Sequence, residues 1–181
     1  MIGDVAAADD RARCRRALVR RWVVDPTVRG LTGFPLAVAA VPAALLGGAA
    51  GIGRLQSRLV RRFAAGTRVP AAASSAGAGR VIAHSMLVLL PAAVSLAVVA
   101  MQLFCVYSGY LYPLRPDTIA ALGHPFTPDP QVLPGAWGGP TLVGAWFVHA
   151  CVAFGIQAVG AVLLHGLCAA QNRAARWLPA S

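Results

Sequence analysis

The sequence has no lysine and no glutamate, and only 12% of its 181 residues are charged. No charged residue occurs from Val81 to Leu114, and none occurs from Pro130 to Asn172. With 57% hydrophobic residues and a mean hydropathy of +0.65, the chain is too apolar for an ordinary soluble domain. A helix needs about 20 apolar residues to cross a bilayer core, where backbone groups must bond to each other. Both uncharged stretches therefore predict membrane-crossing helices.

The chain also lacks the usual parts of an enzyme. The stretches outside the apolar segments are all shorter than about 40 residues, the length below which a domain usually needs disulfides or metals. There is no G-x-S-x-G, no H-E-x-x-H and no phosphate-binding glycine loop. The four cysteines show no C-x-x-C spacing and are predicted to be free thiols: Cys14, Cys105, Cys151 and Cys168. No catalytic residue and no enzymatic activity are therefore predicted.

These patterns predict an all-α integral membrane protein. Its parts are a C-terminal transmembrane helix hairpin, an N-terminal membrane segment rich in Ala and Gly, and basic amphipathic surface helices. The predicted domains are a cytoplasmic N-terminal region over 1–30, a membrane domain over 31–169 and a cytoplasmic tail over 170–181. Within the membrane domain the predicted segments are 31–53, 81–107 and 141–169, and the extracytoplasmic loop is 108–140.

All 16 basic residues are arginine, and many of them surround short apolar stripes. Cys14, Leu18 and Trp22 recur every four residues with arginines on the other faces, a pattern typical of a helix in the headgroup region. A plain solvated basic tail is the alternative. A pI near 11.2 could also indicate nucleic-acid binding, but no aromatic-lined groove accompanies the charges. Anionic lipid is therefore the predicted partner. The predicted lipid contacts are Arg15, Arg16, Arg20, Arg21, Arg58, Arg61 and Arg62.

The segment 31–53 is uncharged and has small residues at helical spacing. Small residues four positions apart allow helix backbones to approach closely in lipid. The sequence therefore predicts that this segment packs against the C-terminal hairpin. The predicted packing residues are Ala39, Ala43, Gly47 and Gly51, with a neighbouring stripe of Ala40, Ala44 and Gly48. Cys151 and Gly155 form a similar pair on the last helix.

The arginines also bear on topology, because cytoplasmic loops collect Lys and Arg. Seven arginines precede the first apolar segment, six lie in 54–80, one lies in the long loop and two lie near the C-terminus. A full crossing of 31–53 would leave eight arginines on each side. If the segment does not cross, 15 lie on one side and Arg115 alone on the other. The second division favours a re-entrant or tilted first segment, with three full crossings as the alternative.

Five polar residues in the apolar helices are candidates for function or for helix association. His84 and His165 are expected at similar depth near the cytoplasmic face, where two imidazoles could ligate haem or a metal, or simply bond across helices. His149 is expected near the depth of Gln102, with Gln157 about two turns deeper. Polar residues in membrane helices are functional candidates, but they are also common interhelical hydrogen-bonding groups.

Two stretches resemble a known family. GFPLAVAAVPAALLGGAAGIGRLQSRLVRRF (33–63) has a Gly-x-Pro-Leu helix with an arginine-rich exit, and WGGPTLVGAWFVHA (137–150) has a Trp-Gly-Gly-Pro helix entry. Together with Tyr112-Pro113, they resemble the actinobacterial sensor domain, a membrane module often found with histidine kinases. The resemblance covers about 33–170 and implies a role in signal transduction. The family usually has four helices in two hairpins, and the resemblance implies no ligand or catalytic residue here.

The predicted function is that of a non-enzymatic, multi-pass protein of the bacterial cytoplasmic membrane, a sensor-like or partner-binding module. Its expected partners are anionic membrane lipids and either another membrane protein or further copies of the chain, and nucleic acid is not expected. No bound cofactor is predicted. The alternative is an accessory subunit of a transporter or respiratory membrane complex, in which His84 and His165 would be the cofactor ligands.

Overall fold

The computed structural model describes residues 2–63, 77–124, 126 and 132–176, and every regular element in these ranges is helical. This confirms the predicted all-α class. Three helical stretches are long and apolar enough to cross a membrane: Asp9–Leu59, Ala78–Tyr110 and Leu142–Ala175. The helices are α1 (Ile2–Val19), α2 (Asp25–Ala43), α3 (Ala49–Phe63), α4 (Ala78–Cys105), α5 (Pro116–Leu122) and α6 (Leu142–Arg176).

The chain forms two compact units. The first comprises Met1–Val98 and Ala161–Ser181, and the second comprises Val99–Gly160. The long helices α4 and α6 therefore each contribute one end to the first unit and the other end to the second. Part of the predicted loop 108–140 and the end of the predicted tail 170–181 lie outside the described residues.

Asp25-Pro26 favours an end of the N-terminal basic helix, because the residue before a proline avoids helical geometry, but the helix continues through this pair. A π-helical turn over Arg20–Val24 joins α1 directly to α2, and Val24 has helical φ and ψ of −68° and −52°. Proline is tolerated in the first turn of a helix, because the N–H that it lacks would have no partner there. The Asp25 N–H bonds to the Arg20 carbonyl, five residues earlier, so the π-helical turn, with Asp25 as its C-cap, ends directly before Pro26. The predicted surface helix is thus continuous with the first apolar segment.

The first apolar segment reverses its direction at Gly47. A second π-helical turn over Ala44–Gly48 contains Gly47 with φ 86° and ψ −1°, a conformation that glycine adopts without strain. Arg29 and Leu59 line the same small cavity, although a straight helix would separate residues 30 positions apart by about 45 Å. α2 and α3 therefore form a helical hairpin. This reversal is what a re-entrant segment requires, and its placement in a bilayer stays a prediction.

Packing within the first unit uses a different stripe from the one emphasised in the sequence. Ala37, Ala40 and Ala44 are at most 3% exposed, and Ala40 and Ala44 form a core cluster with Ala49 and Val81. By contrast, the first predicted stripe lies outside this core: Ala39, Gly47 and Gly51 are exposed, and Ala43 is partly exposed. A Cβ added at Gly47 or Gly51 would meet no atom within 4 Å. The prediction was wrong for this stripe because α2 buries its neighbouring face, and because the reversal at Gly47 takes Gly51 out of the register of Ala39 and Ala43.

In the second unit, the π-helical turn Val106–Tyr110 that follows α4 packs closely against α6, with Gly109 beside Ala153. A Cβ added at Gly109 would lie 2.3 Å from the Cβ of Ala153, so only glycine allows this approach. The predicted pair of Cys151 and Gly155 does not make this contact. Both are exposed, and a Cβ at Gly155 would meet no atom within 4 Å. The prediction chose the wrong face of α6, because small residues lie on several of its faces.

Candidate functional site

The first unit contains an arginine that is buried among helices. Arg29 on α2 is only 3% exposed. Its Nε donates a hydrogen bond of 3.0 Å to Oε1 of Gln171, and its Nη1 donates one to Oδ1 of Asn172. Both acceptors lie near the end of α6. One cation therefore joins the first apolar helix to the last.

No carboxylate of the described residues balances the charge of Arg29. Among the residues that the structure describes, no Asp lies within 4 Å of its guanidinium, and the nearest acidic residue in the sequence, Asp25, lies 3.5 Å from Arg20. The two amide oxygens are neutral and satisfy two of the five N–H donors of an arginine. Burying a charge without an opposite charge is costly, so an arrangement of this kind usually has a function or a missing counterion.

Two buried serines of α4 hold the amide side chains around Arg29. Nε2 of Gln171 donates to Oγ of Ser95 at 3.2 Å, and Nε2 of Gln56 on α3 donates to Oγ of Ser85 at 3.0 Å. Each serine hydroxyl donates in turn to a backbone carbonyl one turn earlier in α4. The amides are therefore fixed in position, and the site is built from four helices.

A cavity of about 30 Å³ lies beside Arg29. Its polar lining comes from Arg29, Gln56, His84 and Gln171, each of them at most 7% exposed. Nδ1 of His84 is buried and has no hydrogen-bond partner among the described residues. The apolar lining consists of Gly33, Leu36, Ala37, Leu59, Val88 and Ala92. The described lining of the cavity thus contains hydrogen-bond donors and a positive charge but no carboxylate.

The two histidines predicted as cofactor ligands have different surroundings. His84 lines the cavity, whereas His165 is partly buried and its ring lies against Trp22, with 4.1 Å between the ring centroids. Nε2 of His165 is also buried and has no partner among the described residues. No group of three His, Cys, Asp or Glu side chains suited to a metal ion occurs in the described part of the chain. The pairing of the two histidines on one ligand therefore stays a prediction.

In the second unit, Gln102 and Gln157 bond to each other's backbone. Nε2 of Gln102 donates to the Gln157 carbonyl at 3.3 Å, and Nε2 of Gln157 donates to the Gln102 carbonyl at 3.2 Å. The Tyr110 hydroxyl donates to Oε1 of Gln157 at 2.9 Å. Both side chains are neutral and have partners, which is typical of a structural link between helices.

The sequence predicted that His149 lies near the depth of Gln102. In the structure, Gln102 lies opposite Gln157 instead. The His149 ring stacks on Tyr112, with 5.0 Å between centroids, and its Nδ1 lies 2.8 Å from the Ala145 carbonyl. α6 begins 11 residues before its contact at Ala153, so it extends about 16 Å beyond that contact. The prediction assumed equal extensions of both helices. An apolar cavity of about 500 Å³ lies beside His149, lined among others by Phe104 and Trp137.

An ion pair lies in the connection between the long helices. The Arg115 guanidinium donates to both carboxylate oxygens of Asp117, from Nε to Oδ1 at 3.1 Å and from Nη2 to Oδ2. Arg115 also lies over the Tyr107 ring, 4.8 Å from its centroid. The hydrogen bond to Arg115 lowers the pKa of Asp117, and the same bond raises the pKa of Arg115. The pair lies at the start of α5, which ends at Leu122 with Gly123 as its C-cap.

Most of the arginines predicted to contact lipid are on the surface. Arg15, Arg16, Arg20, Arg21 and Arg58 are exposed, whereas the side chains of Arg61 and Arg62 lie outside the described residues. Their exposure fits a role at an anionic surface, and lipid binding itself stays a prediction.

Sequence reasoning did not single out Arg29, Gln56 or Gln171. A usable signal was present on α2, where Gly33 and Ala37 follow Arg29 at four-residue spacing and form a small-residue face. An arginine on that face is placed for burial, unlike the arginines of the basic clusters. Nothing comparable identifies Gln56, because its burial depends on the reversal of α2 into α3.

No protein-family model matches the chain, and no curated protein or solved structure matches it either. The resemblance to the actinobacterial sensor domain therefore stays a prediction, and the proposals below rest on the geometry of the described residues.

Proposed function

We propose that the protein is a non-enzymatic, multi-pass protein of a bacterial cytoplasmic membrane that acts as a sensor-like or partner-binding module. The observation that carries this proposal is the buried link from Arg29 on α2 to Gln171 and Asn172 on α6. An ionisable residue buried inside an apolar helical segment is a functional candidate by default. Anionic lipids and another membrane protein, or further copies of the chain, are the proposed partners.

The link is suited to sensing because four helices meet at it. Arg29 belongs to α2, Gln56 to α3, His84 to α4 and Gln171 to α6, and all four side chains line one cavity. A ligand in this cavity, or a partner that displaces one amide, would change the balance of contacts among all four helices. A ligand shifts a conformational equilibrium by its difference in affinity for the two states. A buried cation with few partners provides such a difference.

Distances between spin labels on α2 and α6 test this proposal. Labels at Leu31→Cys and Gly166→Cys, both exposed positions, report the separation of the two helices in a cysteine-free chain in nanodiscs. We expect one dominant distance with Arg29 present and an additional, longer population with Arg29→Met. Arg58→Met removes an exposed arginine from the same unit and serves as the control. Identical distributions in all three proteins would show a fixed scaffold and contradict a sensor-like role.

The second candidate function is an accessory subunit of a transporter or respiratory complex that ligates a cofactor. The observation that favours it is that Nδ1 of His84 and Nε2 of His165 are both buried without a partner in the described chain. An absorption spectrum of the protein purified from its host membranes distinguishes this candidate from the first. A Soret band that is lost in both His84→Ala and His165→Ala would support it, and a colourless protein would exclude haem.

A further inference from the structure

The cavity beside Arg29 has the chemistry of an anion site. Every polar group that lines it can donate a hydrogen bond, and one of these groups carries a permanent positive charge. No Asp or Glu of the described chain lines the cavity, so a metal cation would find no charged ligand among these residues. Oxygen-binding cations such as Mg²⁺ and Ca²⁺ prefer carboxylates. The lining therefore selects for negative charge.

Two independent observations indicate that a partner belongs in this cavity. The guanidinium of Arg29 makes two hydrogen bonds with the described residues and has no described carboxylate within 4 Å. Nδ1 of His84, on a side chain that is 6% exposed, is buried without any partner. Buried polar atoms in proteins are almost always satisfied by protein groups, water or an ion. An anion would satisfy the charge of Arg29 and take an N–H from His84 at the same time.

The size of the cavity limits the anion. A volume of about 30 Å³ has room for one or two groups of the size of water, since a single water needs at least about 10–15 Å³. A halide such as chloride is only slightly larger than water and fits this space. Phosphate and sulfate, with four oxygens around a central atom, are larger than this space, and we expect the cavity to discriminate against them. Arg29 is also too deeply buried, at 3% exposure, to reach a lipid headgroup.

We propose that Arg29, His84, Gln56 and Gln171 form a binding site for one small monovalent anion of the size of chloride. Arg29 supplies the charge, and the imidazole of His84 and the amide of Gln56 supply further N–H donors. Ser85 and Ser95 fix the two amides, so little ordering is needed when the anion binds. A chloride-sized anion would then be the ligand of the proposed sensor-like module. Only the signalling role of the anion rests on that proposed function, because anion binding can be tested by itself.

The first measurement uses the unmodified chain in detergent or nanodiscs. Its melting temperature is recorded in rising sodium chloride, with sodium gluconate keeping the ionic strength constant. A ligand that binds only the folded state stabilises it increasingly as its concentration rises, and we expect a rise of roughly 5–10 °C at 100 times the dissociation constant. Bromide should act like chloride, whereas sulfate and phosphate should not. Excess broadening of the chloride NMR line, reversed by bromide, should give the same affinity.

Variants then locate the site. Arg29→Gln should abolish both the chloride-dependent rise and the excess line broadening. His84→Phe, which keeps a ring of similar shape, should weaken chloride binding by about tenfold, as expected for one lost hydrogen bond to a charged group. Arg80→Gln removes an exposed arginine one turn from His84 and should bind chloride normally. If Arg29→Gln does not fold, His84→Phe against Arg80→Gln still decides the question.

Three results would overturn the anion site. These are a melting temperature in the unmodified chain that does not distinguish chloride from gluconate, equal stabilisation by phosphate, and unchanged chloride binding in His84→Phe. The spin-label pair 31/166 separates this proposal from the proposed function. Saturable chloride binding without any change in the distance would leave the anion site in place and contradict the sensor-like role. A change in distance with Arg29→Met, without chloride binding to the unmodified chain, would support the sensor-like role and contradict the anion site.

Discussion

The first unit surrounds a buried cation with amide side chains, whereas the second unit joins two neutral amides by reciprocal hydrogen bonds. Arg29 has two amide acceptors and no described carboxylate within 4 Å, while Gln102 and Gln157 each donate to the other's backbone. A neutral, satisfied pair stabilises helix association by about 1 kcal/mol and needs nothing further. A buried charge with incomplete neutralisation is held only when the surrounding structure provides for it. From this difference we infer that the proposed anion site lies in the first unit, and that the amide pair of the second unit is a structural link.

The largest loss of folding stability should come from removing a hydrogen-bond acceptor of Arg29, and removing Arg29 itself should cost less. Gln171→Leu leaves the guanidinium without its Nε partner and should destabilise the chain by about 3 kcal/mol, since breaking a buried charged contact leaves the charge uncompensated. Arg29→Met removes the charge together with its desolvation penalty and should destabilise less. Unfolding in a chloride-free detergent solution measures both.

A larger loss for Arg29→Met than for Gln171→Leu would contradict this view. It would mean that the charge itself stabilises the first unit, and that Gln171 and Asn172 already neutralise it well enough. The contrast with the second unit would then disappear, because both polar groups would be structural links.

The reversal of the first segment is the next feature to break. Gly47→Ala places a Cβ on a residue with φ 86°, which should destabilise by about 1–2 kcal/mol through backbone strain, although no neighbour lies within 4 Å. Gly51→Ala is the matched control, because Gly51 is helical and also has open space around it. That change should be neutral or slightly stabilising. Equal effects of the two substitutions, measured by thermal unfolding, would show that Gly47 does not define the turn.

The sequence predicted the helical class and the approximate positions of the long helices, because a long apolar run can be recognised from local composition alone. It did not predict the reversal, since Gly47, Gly48, Gly51 and Gly53 are all free to adopt a positive φ and only long-range packing selects Gly47. The same limit applies to Arg29. Its burial depends on α3 folding back and on α6 presenting Gln171, two events that no local pattern encodes.

The match between Gln102 and Gln157 shows a related limit. Helix depth was predicted from the ends of the apolar runs, on the assumption that both helices leave the membrane segment at the same level. A π-helical turn instead carries α4 on to Tyr110, and α6 starts well before its contact with α4 at Ala153. In the observed register Gly109 lies against Ala153, and many other small residues of the two segments could have made such a contact.

In the second unit, Gln157→Leu should reduce folding stability by less than Gln171→Leu does in the first unit. It removes the hydrogen bond to the Gln102 carbonyl and the one from Tyr110, and polar contacts between membrane helices are worth about 1 kcal/mol each at most sites. Unfolding experiments on both leucine variants under the same conditions provide the comparison. A loss for Gln157→Leu as large as that for Gln171→Leu would mean that charge is not what distinguishes the two units.

The smallest effect should come from the exposed pair of Arg115 and Asp117. The hydrogen bond from Arg115 lowers the pKa of Asp117, so its contribution to stability is present above the ordinary aspartate pKa of about 3.9 and is lost as the pH falls through the lower, folded value. The carboxyl carbon of Asp117, followed by NMR from pH 6 down to about pH 2, should titrate below its ordinary range. Arg115→Gln should return the pKa toward the ordinary value, whereas Arg173→Gln, at an exposed site in the first unit, should leave it unchanged. Because Asp117 is well exposed, solvent screens the pair and global stability should hardly respond.

An ordinary pKa for Asp117 in the unmodified chain would show that the pair does not persist in solution. A large loss of global stability in Arg115→Gln would show that this connection supports more of the second unit than its exposure suggests.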